Sequence, residues 1–167
     1  MIAVAGDGEA FAGRTNAQDW TLSWHPPSTP PGGKPHGAEG ICVTPDGDIV
    51  VISRDGQTWE FPAGRPDGPE TWEETLRREV LEEACATAVR ARLLGFTRGM
   101  CVAGSEKGLV LVRSKWRADV EPDPWAPRFE ISHRRVVPAA DLMDDLKVAT
   151  LPFAPVIQRM IHEASVT

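Results

Sequence analysis

Apolar positions along this chain fall into short alternating or continuous runs, interrupted by one stretch of helical period. Trp20, Leu22 and Trp24 alternate with Thr21 and Ser23, the period of a half-buried strand. Residues 41–44 (ICVT) and 49–53 (IVVIS) read as two strands joined by the turn PDGD at 45–48. QTWEF at 57–61 reads as a third short strand, and 62–69, rich in Gly and Pro, as a loop. A helix is predicted next. Thr71 is a good N-cap with Glu74 placed to complete a capping box, and Leu76, Val80 and Ala84, four apart, supply a buried stripe.

Beyond the helix, 91–103 (ARLLGFTRGMCVA) reads as a strand, with a break at Gly95 or Gly99. Residues 109–120 (LVLVRSKWRADV) form the clearest later strand, and 131–137 (ISHRRVV) another. Pro138 opens a short helical turn through Leu142, and a closing helix starts near Pro155. Many strands with two main helices predict an α/β (α+β) fold, a mixed sheet sandwiched between helices. Residues 1–17, small and polar, are expected to be a flexible tail. Residues 18–167 then form a single domain with its core at about 38–165. The proline-rich 26–35 (PPSTPPGGKP) reads as a stiff connector in preference to a PxxP ligand.

Composition narrows the function classes. With 41% hydrophobic and 25% charged residues, the chain reads as an ordinary globular protein. A net charge of -6 argues against a long nucleic acid partner, which needs a cationic face. It leaves room for a small anionic substrate, because a bound metal reverses the local sign. Cys42, Cys85 and Cys101 show no CxxC pairing, so neither a disulfide framework nor a zinc site is expected, and free thiols fit a cytoplasmic location. The opening MIAVAGDGEAFAG lacks the basic start of a signal peptide, and no run approaches the ~20 apolar residues of a membrane span.

The predicted helix carries the chemistry. Glu79, Glu82 and Glu83 stand at i, i+3 and i+4 and share one face. Like charges at this spacing destabilise a helix by about 0.2–0.5 kcal/mol per pair, so a cation is expected among them. Magnesium suits such a site, being a hard ion that prefers oxygen ligands. Three glutamates alone would more often be a solvated face. Their surroundings change that reading. The chain has Gly64, five residues, Glu70, seven residues, then Arg78-Glu79-Val80-Leu81-Glu82-Glu83. This spacing resembles the box of the Nudix hydrolase family, with the preceding Trp59-Glu60-Phe61-Pro62-Ala63 similar to the strand entering that family's Pro-Gly-Gly turn. The box covers Gly64 to Ala86, and the order of strands extends the resemblance over about 38–142. It departs at Cys85, where the family has glycine, and at Ala86, where it prefers a larger aliphatic.

The resemblance implies a pyrophosphohydrolase that uses Mg2+, or Mn2+, to direct water onto a phosphorus of a nucleoside diphosphate derivative or a nucleoside triphosphate. Glu82 and Glu83 would be metal ligands, with the Ala63 carbonyl a further one. Glu79 would complete the metal site or act as base through a water. Arg78 would steer a box carboxylate, Glu70 would be structural, and Gly64 would let the loop fold back over the helix start. Helix-ending glycines adopt a left-handed conformation, so Cys85 in that place is expected to cost roughly 1 kcal/mol.

A carboxylate outside the box often completes such sites, and Glu130 is the candidate, with Glu106 and Glu121 as alternatives. Trp125 and Phe129, in the adjoining loop, are candidate base stackers. Arg113, Lys115 and Arg117 alternate along one strand face; a solvated or edge-guarding face outranks phosphate binding for the set, with Arg113 kept as a substrate-binding candidate. His25, His36, His133 and His162 show no metal-ligand spacing and receive no role. Trp20 to Trp24 could pair in a homodimer. The main alternative function is a Nudix-like module that senses a nucleotide without hydrolysing it. An isopentenyl-diphosphate isomerase-like enzyme shares the box but resembles this chain less. Family markers for ADP-ribose, dinucleoside polyphosphates and coenzyme A are not found downstream or upstream of the box, so the sequence favours no particular substrate.

Overall fold

In the computed structural model, which describes residues 1–166, eight strands form one sheet. They are β1 (Ala10–Thr15), β2 (Gln18–His25), β3 (Lys34–Val43), β4 (Ile49–Ser53), β5 (Ala63–Gly64), β6 (Ala86–Ala103), β7 (Val110–Pro122) and β8 (His133–Val137). The order across the sheet is β1-β2-β6-β7-β3-β4-β8, with β5 paired to the middle of β3, at Ala38 and Glu39. The β3–β7 pair is parallel and every other pair is antiparallel. Helix α1 (Trp72–Ala84) covers one face, and α2 (Leu142–Asp145) and α3 (Ala154–Glu163) cover the other. The predicted mixed sheet between helices is therefore what forms.

The period of two along the central strands explains the two cores. On β3 and β4, Ile41, Val43, Ile49 and Val51 point to the α3 side, where they meet Trp24, Val156 and Met160. Cys42, Val50 and Ile52 point the other way, against the fully buried Leu76, Val80 and Ala84 of α1. With both faces covered, β4 reads as a continuous apolar run. Thr71 caps α1 as expected, its hydroxyl accepting from the Glu74 N–H at 3.2 Å. The box is not reciprocal, because the Glu74 carboxylate accepts from the Thr71 hydroxyl at 3.1 Å. Cys85 ends the helix in the left-handed conformation, φ 49° and ψ 51°, as its place in the box predicts.

Four expectations need correction. Residues 1–17 are not a loose tail. Asn16 and Ala17 both have positive φ and make the two-residue turn of a hairpin between β1 and β2. The segment before it is tied to α3 by Ala5 N–H to the Pro155 carbonyl (3.0 Å) and by Arg159 to Asp7 (2.8 Å). Second, β2 has β1 on one side and β6 on the other, so it has no free edge for pairing with another copy. Third, QTWEF is not a strand; its backbone joins the sheet through the isolated Ile52–Glu60 bridge, while Phe61 packs into the core. The Asp55 carboxylate accepts the N–H groups of Gln57 and Thr58, both at 2.8 Å, which spends on a side chain the donors a ladder would use. Fourth, Arg113, Lys115 and Arg117 are not an edge-guarding face. β7 lies between β6 and β3, Lys115 is 8% exposed and ion-paired with Glu39 at 3.0 Å, and Arg117 binds Asp119 and the Ala164 carbonyl.

Candidate active site

The site lies where α1 meets β5 and the loop before it. Arg78 is its hub. One edge of the guanidinium meets Glu70 in two bonds, Nε to Oε2 at 2.8 Å and Nη2 to Oε1 at 3.0 Å, the fork geometry that suits a carboxylate. Nη1 donates to Glu79 at 2.7 Å and to Glu82 at 3.2 Å, and Nη2 to the Arg65 carbonyl at 2.8 Å. Glu70 also accepts from the Asp67 N–H and the Thr75 hydroxyl. With Arg78 foremost, these donors hold its carboxyl at about 2, well below the ordinary range. Arg78 thus ties the loop to the helix and gathers two box carboxylates, which agrees with the steering role the resemblance implies for it.

Glu79 and Glu83 sit deeper. Burial pushes the Glu79 carboxyl upward against the opposing effect of Arg78, and the charges of Glu82 and Glu130 add to the rise. The Glu79 carboxyl lies against Gly64, where any Cβ would overlap it. Glu83 is 7% exposed and accepts the Ala63 N–H at 2.8 Å. Burial raises its carboxyl to about 7, Ala63 opposes, and the charges of Glu79 and Glu60 add. Glu130 is more exposed and sits 3.6 Å from Arg54, which also binds Glu60 at 3.3 Å.

A cavity of about 270 Å³ opens beside Glu83, Ala63 and Gly64. It is also lined by three guanidinium groups, those of Arg54, Arg65 and Arg113, and by His36, with Glu39 and Glu60 among them. Burial, with the charges of Arg113, Arg65 and Lys34, lowers the His36 ring to about 4. At neutral pH the ring is therefore uncharged. Arg113 Nε donates to its Nδ1 at 2.9 Å, which leaves the proton on Nε2. The lining combines hard anionic oxygens with guanidinium groups, so a phosphate chain with a hard cation beside it satisfies both.

The donor set fits a divalent ion. It is all oxygen, and Glu83 is a buried carboxylate whose charged form lacks a cationic partner at hydrogen-bond distance. Among the described residues no three acidic, His or Cys side chains already stand as a preformed cage, because Arg78 engages Glu79 and Glu82 while Ala63 engages Glu83.

Of the residues singled out by sequence, Arg78, Glu79, Glu82, Glu83 and Ala63 are brought together, Arg113 lines the same cavity as Glu83 and Ala63, and Glu130 adjoins through Arg54. Trp125 and Phe129 line neither this cavity nor the larger one beside it. Trp125 packs toward the α1-side core with Arg134 over its ring, and Phe129 is 77% exposed. Sequence reasoning missed Arg54, Arg65 and His36. The loop position of Arg65, one residue past the box glycine, was the available signal.

Comparison with known proteins bears on the family and the fold. The family model for the NUDIX domain matches residues 34–160, and the chain belongs to that family. It is accordingly a hydrolase of diphosphate bonds, in a family that generally uses divalent metals and acts on small nucleotide-type substrates. The fold is shared with the Bacillus subtilis pyrophosphohydrolase BsRppH at TM-score 0.66 and 20% identity, over 94% of this chain and 99% of that one. A NUDIX hydrolase from Nitrosomonas europaea follows at TM-score 0.57 and 18% identity, over 78% and 88%. A MutT from a study of the Aliivibrio salmonicida and Vibrio cholerae proteins has TM-score 0.54 and 22% identity, over 78% and 99%. No curated protein matches the chain by sequence. No helix among the described residues is long and apolar enough to cross a membrane.

Proposed function

We propose that the chain hydrolyses a small nucleotide, a nucleoside triphosphate or a nucleoside diphosphate joined to another group, by attack of water on phosphorus. The reading is carried by the cavity that the box carboxylate Glu83, with Ala63 and Gly64, lines together with Arg54, Arg65, Arg113 and His36. Magnesium or manganese would be held by Glu79, Glu82, Glu83 and the Ala63 carbonyl, and when bound would polarise phosphoryl oxygens and make water more acidic. The chain's own groups do the rest. Arg113 and Arg65 bind phosphate oxygens, and the His36 Nε2–H adds a neutral donor. Arg54 carries Glu130 to the rim of the acidic set. Glu79 either completes the metal site or takes the proton from the attacking water through a bound water, within the hydrogen-bond reach a general base needs. Arg78 holds Glu79 and Glu82 in place while this happens. The resemblance of the whole fold to a protein described as a pyrophosphohydrolase supports the same reaction type.

The test is a panel of nucleotide sugars, triphosphates and dinucleotides with magnesium in oxygen-18 water. Label is expected on a phosphate product, and label only on a sugar or alcohol would overturn the mechanism. Glu82→Gln and Glu83→Gln should each lower turnover by ~100-fold or more with the fold intact. Tight binding of one panel member with no turnover of any would favour a nucleotide sensor instead.

A further inference from the structure

Beside the catalytic cavity lies a larger one of about 520 Å³, a volume ordinary for small-ligand sites. His36, Arg65 and Arg113 line both, so a phosphate chain held by those residues leads directly into it. Its far wall comes from the β1–β2 hairpin, which precedes the residues matched by the family model. That wall is aromatic. Gly13 and Trp20 are cross-strand partners, and the absence of a side chain at Gly13 lets the Phe153 ring lie against the strand, where a Cβ would come within 2.8 Å of it. Trp20 and Leu22 pack over Gly99 of β6 at ordinary van der Waals distance. Two aromatic rings lining one cavity beside the arginines suit a nucleobase, which presents a π-face whatever its edges carry.

The polar rim is more selective. Gln18 opens β2, and its side-chain oxygen accepts the Glu106 N–H at 2.8 Å and the Ser105 hydroxyl at 3.4 Å. A backbone N–H can only donate, so the oxygen must be the atom that faces it. The amide nitrogen is the end left over, and among the described residues it donates to no protein group. Gln18 therefore meets the cavity as a donor only. An amide reads adenine by giving one hydrogen bond to N7 and accepting one from the N6 amine, which needs its oxygen. A 6-oxopurine presents two acceptors, O6 and N7, on that edge.

We infer that this cavity is a base subsite for 6-oxopurine nucleotides, with Trp20 and Phe153 as its stacking wall and Gln18 as the residue that selects guanine or hypoxanthine over adenine. The inference rests on the nucleotide part of the proposed function but not on its chemistry, so binding tests it separately. Calorimetric titration of the full chain in chelator with GMP, IMP and AMP should show GMP and IMP binding about 10-fold or more tighter than AMP. Gln18→Glu keeps the acceptor for Glu106 and replaces the donor with an anion, and should abolish that preference without changing Tm. Phe153→Leu should weaken all three ligands alike and leave their ratio unchanged. Equal affinities in the unmodified chain, a preference that survives Gln18→Glu, or no response to Phe153→Leu would each overturn the inference. A preference for GMP in a chain that hydrolyses nothing would uphold the subsite and sink the reaction.

Discussion

Gly64→Ala offers a direct test of whether Glu79 must stay where the structure holds it. Gly64 does not have a positive φ, so its backbone accepts alanine. The obstacle is the Glu79 carboxyl, which occupies the space a Cβ would need, and Arg78 binds that same carboxyl at 2.7 Å. Alanine for glycine at an unstrained site stabilises by about 0.4–1 kcal/mol through the unfolded chain. Overpacking costs about 1–3 kcal/mol. The net expectation is a loss of about 1–2 kcal/mol, or roughly 2–8 °C in Tm for a chain of this size. Activity should fall by about 100-fold, because a group displaced by ~1 Å from its working position costs about that much. In a Glu79→Ala background the clash is gone, and Gly64→Ala should become stabilising by about 0.4–1 kcal/mol. Thermal melts of the four proteins in the cycle give a coupling of about 1–3 kcal/mol if the reasoning holds. Gly32→Ala, where a Cβ meets nothing within 4 Å, is the control. Additive effects within about 0.5 kcal/mol, or full activity in Gly64→Ala, would refute it.

Two further outcomes follow from the same site. Cys85 is left-handed and 6% exposed, with its thiol donating to the Ala126 carbonyl at 3.2 Å. Cys85→Gly therefore exchanges about 1 kcal/mol of relieved strain for a similar loss in burial and chain entropy, and its urea midpoint should hardly move, whereas Cys85→Val should lower it clearly. A large gain from glycine would mean that the thiol contributes nothing. Glu83 gives a pH signature in the metal-free protein. Its carboxyl is raised from 4.5 to about 7 on folding, so its contribution to stability is fully present below about 4.5 and lost as pH rises through about 7. Urea titrations between pH 4.5 and 8 should show that decline, and Glu83→Gln or saturating magnesium should flatten it. An unchanged slope in Glu83→Gln would place the proton elsewhere.

How much of this could be read from the sequence follows from how local each feature is. The helix was legible because its signals lie within a few turns: the cap at Thr71, the stripe Leu76, Val80 and Ala84, and the box carboxylates that share a face. The left-handed end at Cys85 was legible for the same reason. The β1–β2 hairpin was hidden because its turn is Asn16-Ala17, without the glycine that usually announces two positive φ values in succession. β2 showed itself through Trp20, Leu22 and Trp24, whereas β1, the edge strand of the sheet, is mostly exposed and carries little apolar pattern. QTWEF showed the opposite failure, an apolar pattern overridden by a carboxylate five residues before Glu60 that captured its backbone donors.

The basic part of the cavity lining was hidden for a topological reason. His36 and Arg113 are 77 residues apart in sequence and meet only because β3 and β7 pair in parallel, an arrangement with no short-range signature. That pairing also explains why Lys115 and Arg113, two residues apart on one face, have different fates. Lys115 is opposite Glu39 in the register and is neutralised there at 3.0 Å, while Arg113 is opposite Gly37, which offers no side chain. Arg113 therefore turns to His36, an uncharged partner that steadies the guanidinium without cancelling it. A cation held in place yet still carrying its full charge is what the proposed phosphate site calls for, and the register between two strands is what keeps Arg113 in that state.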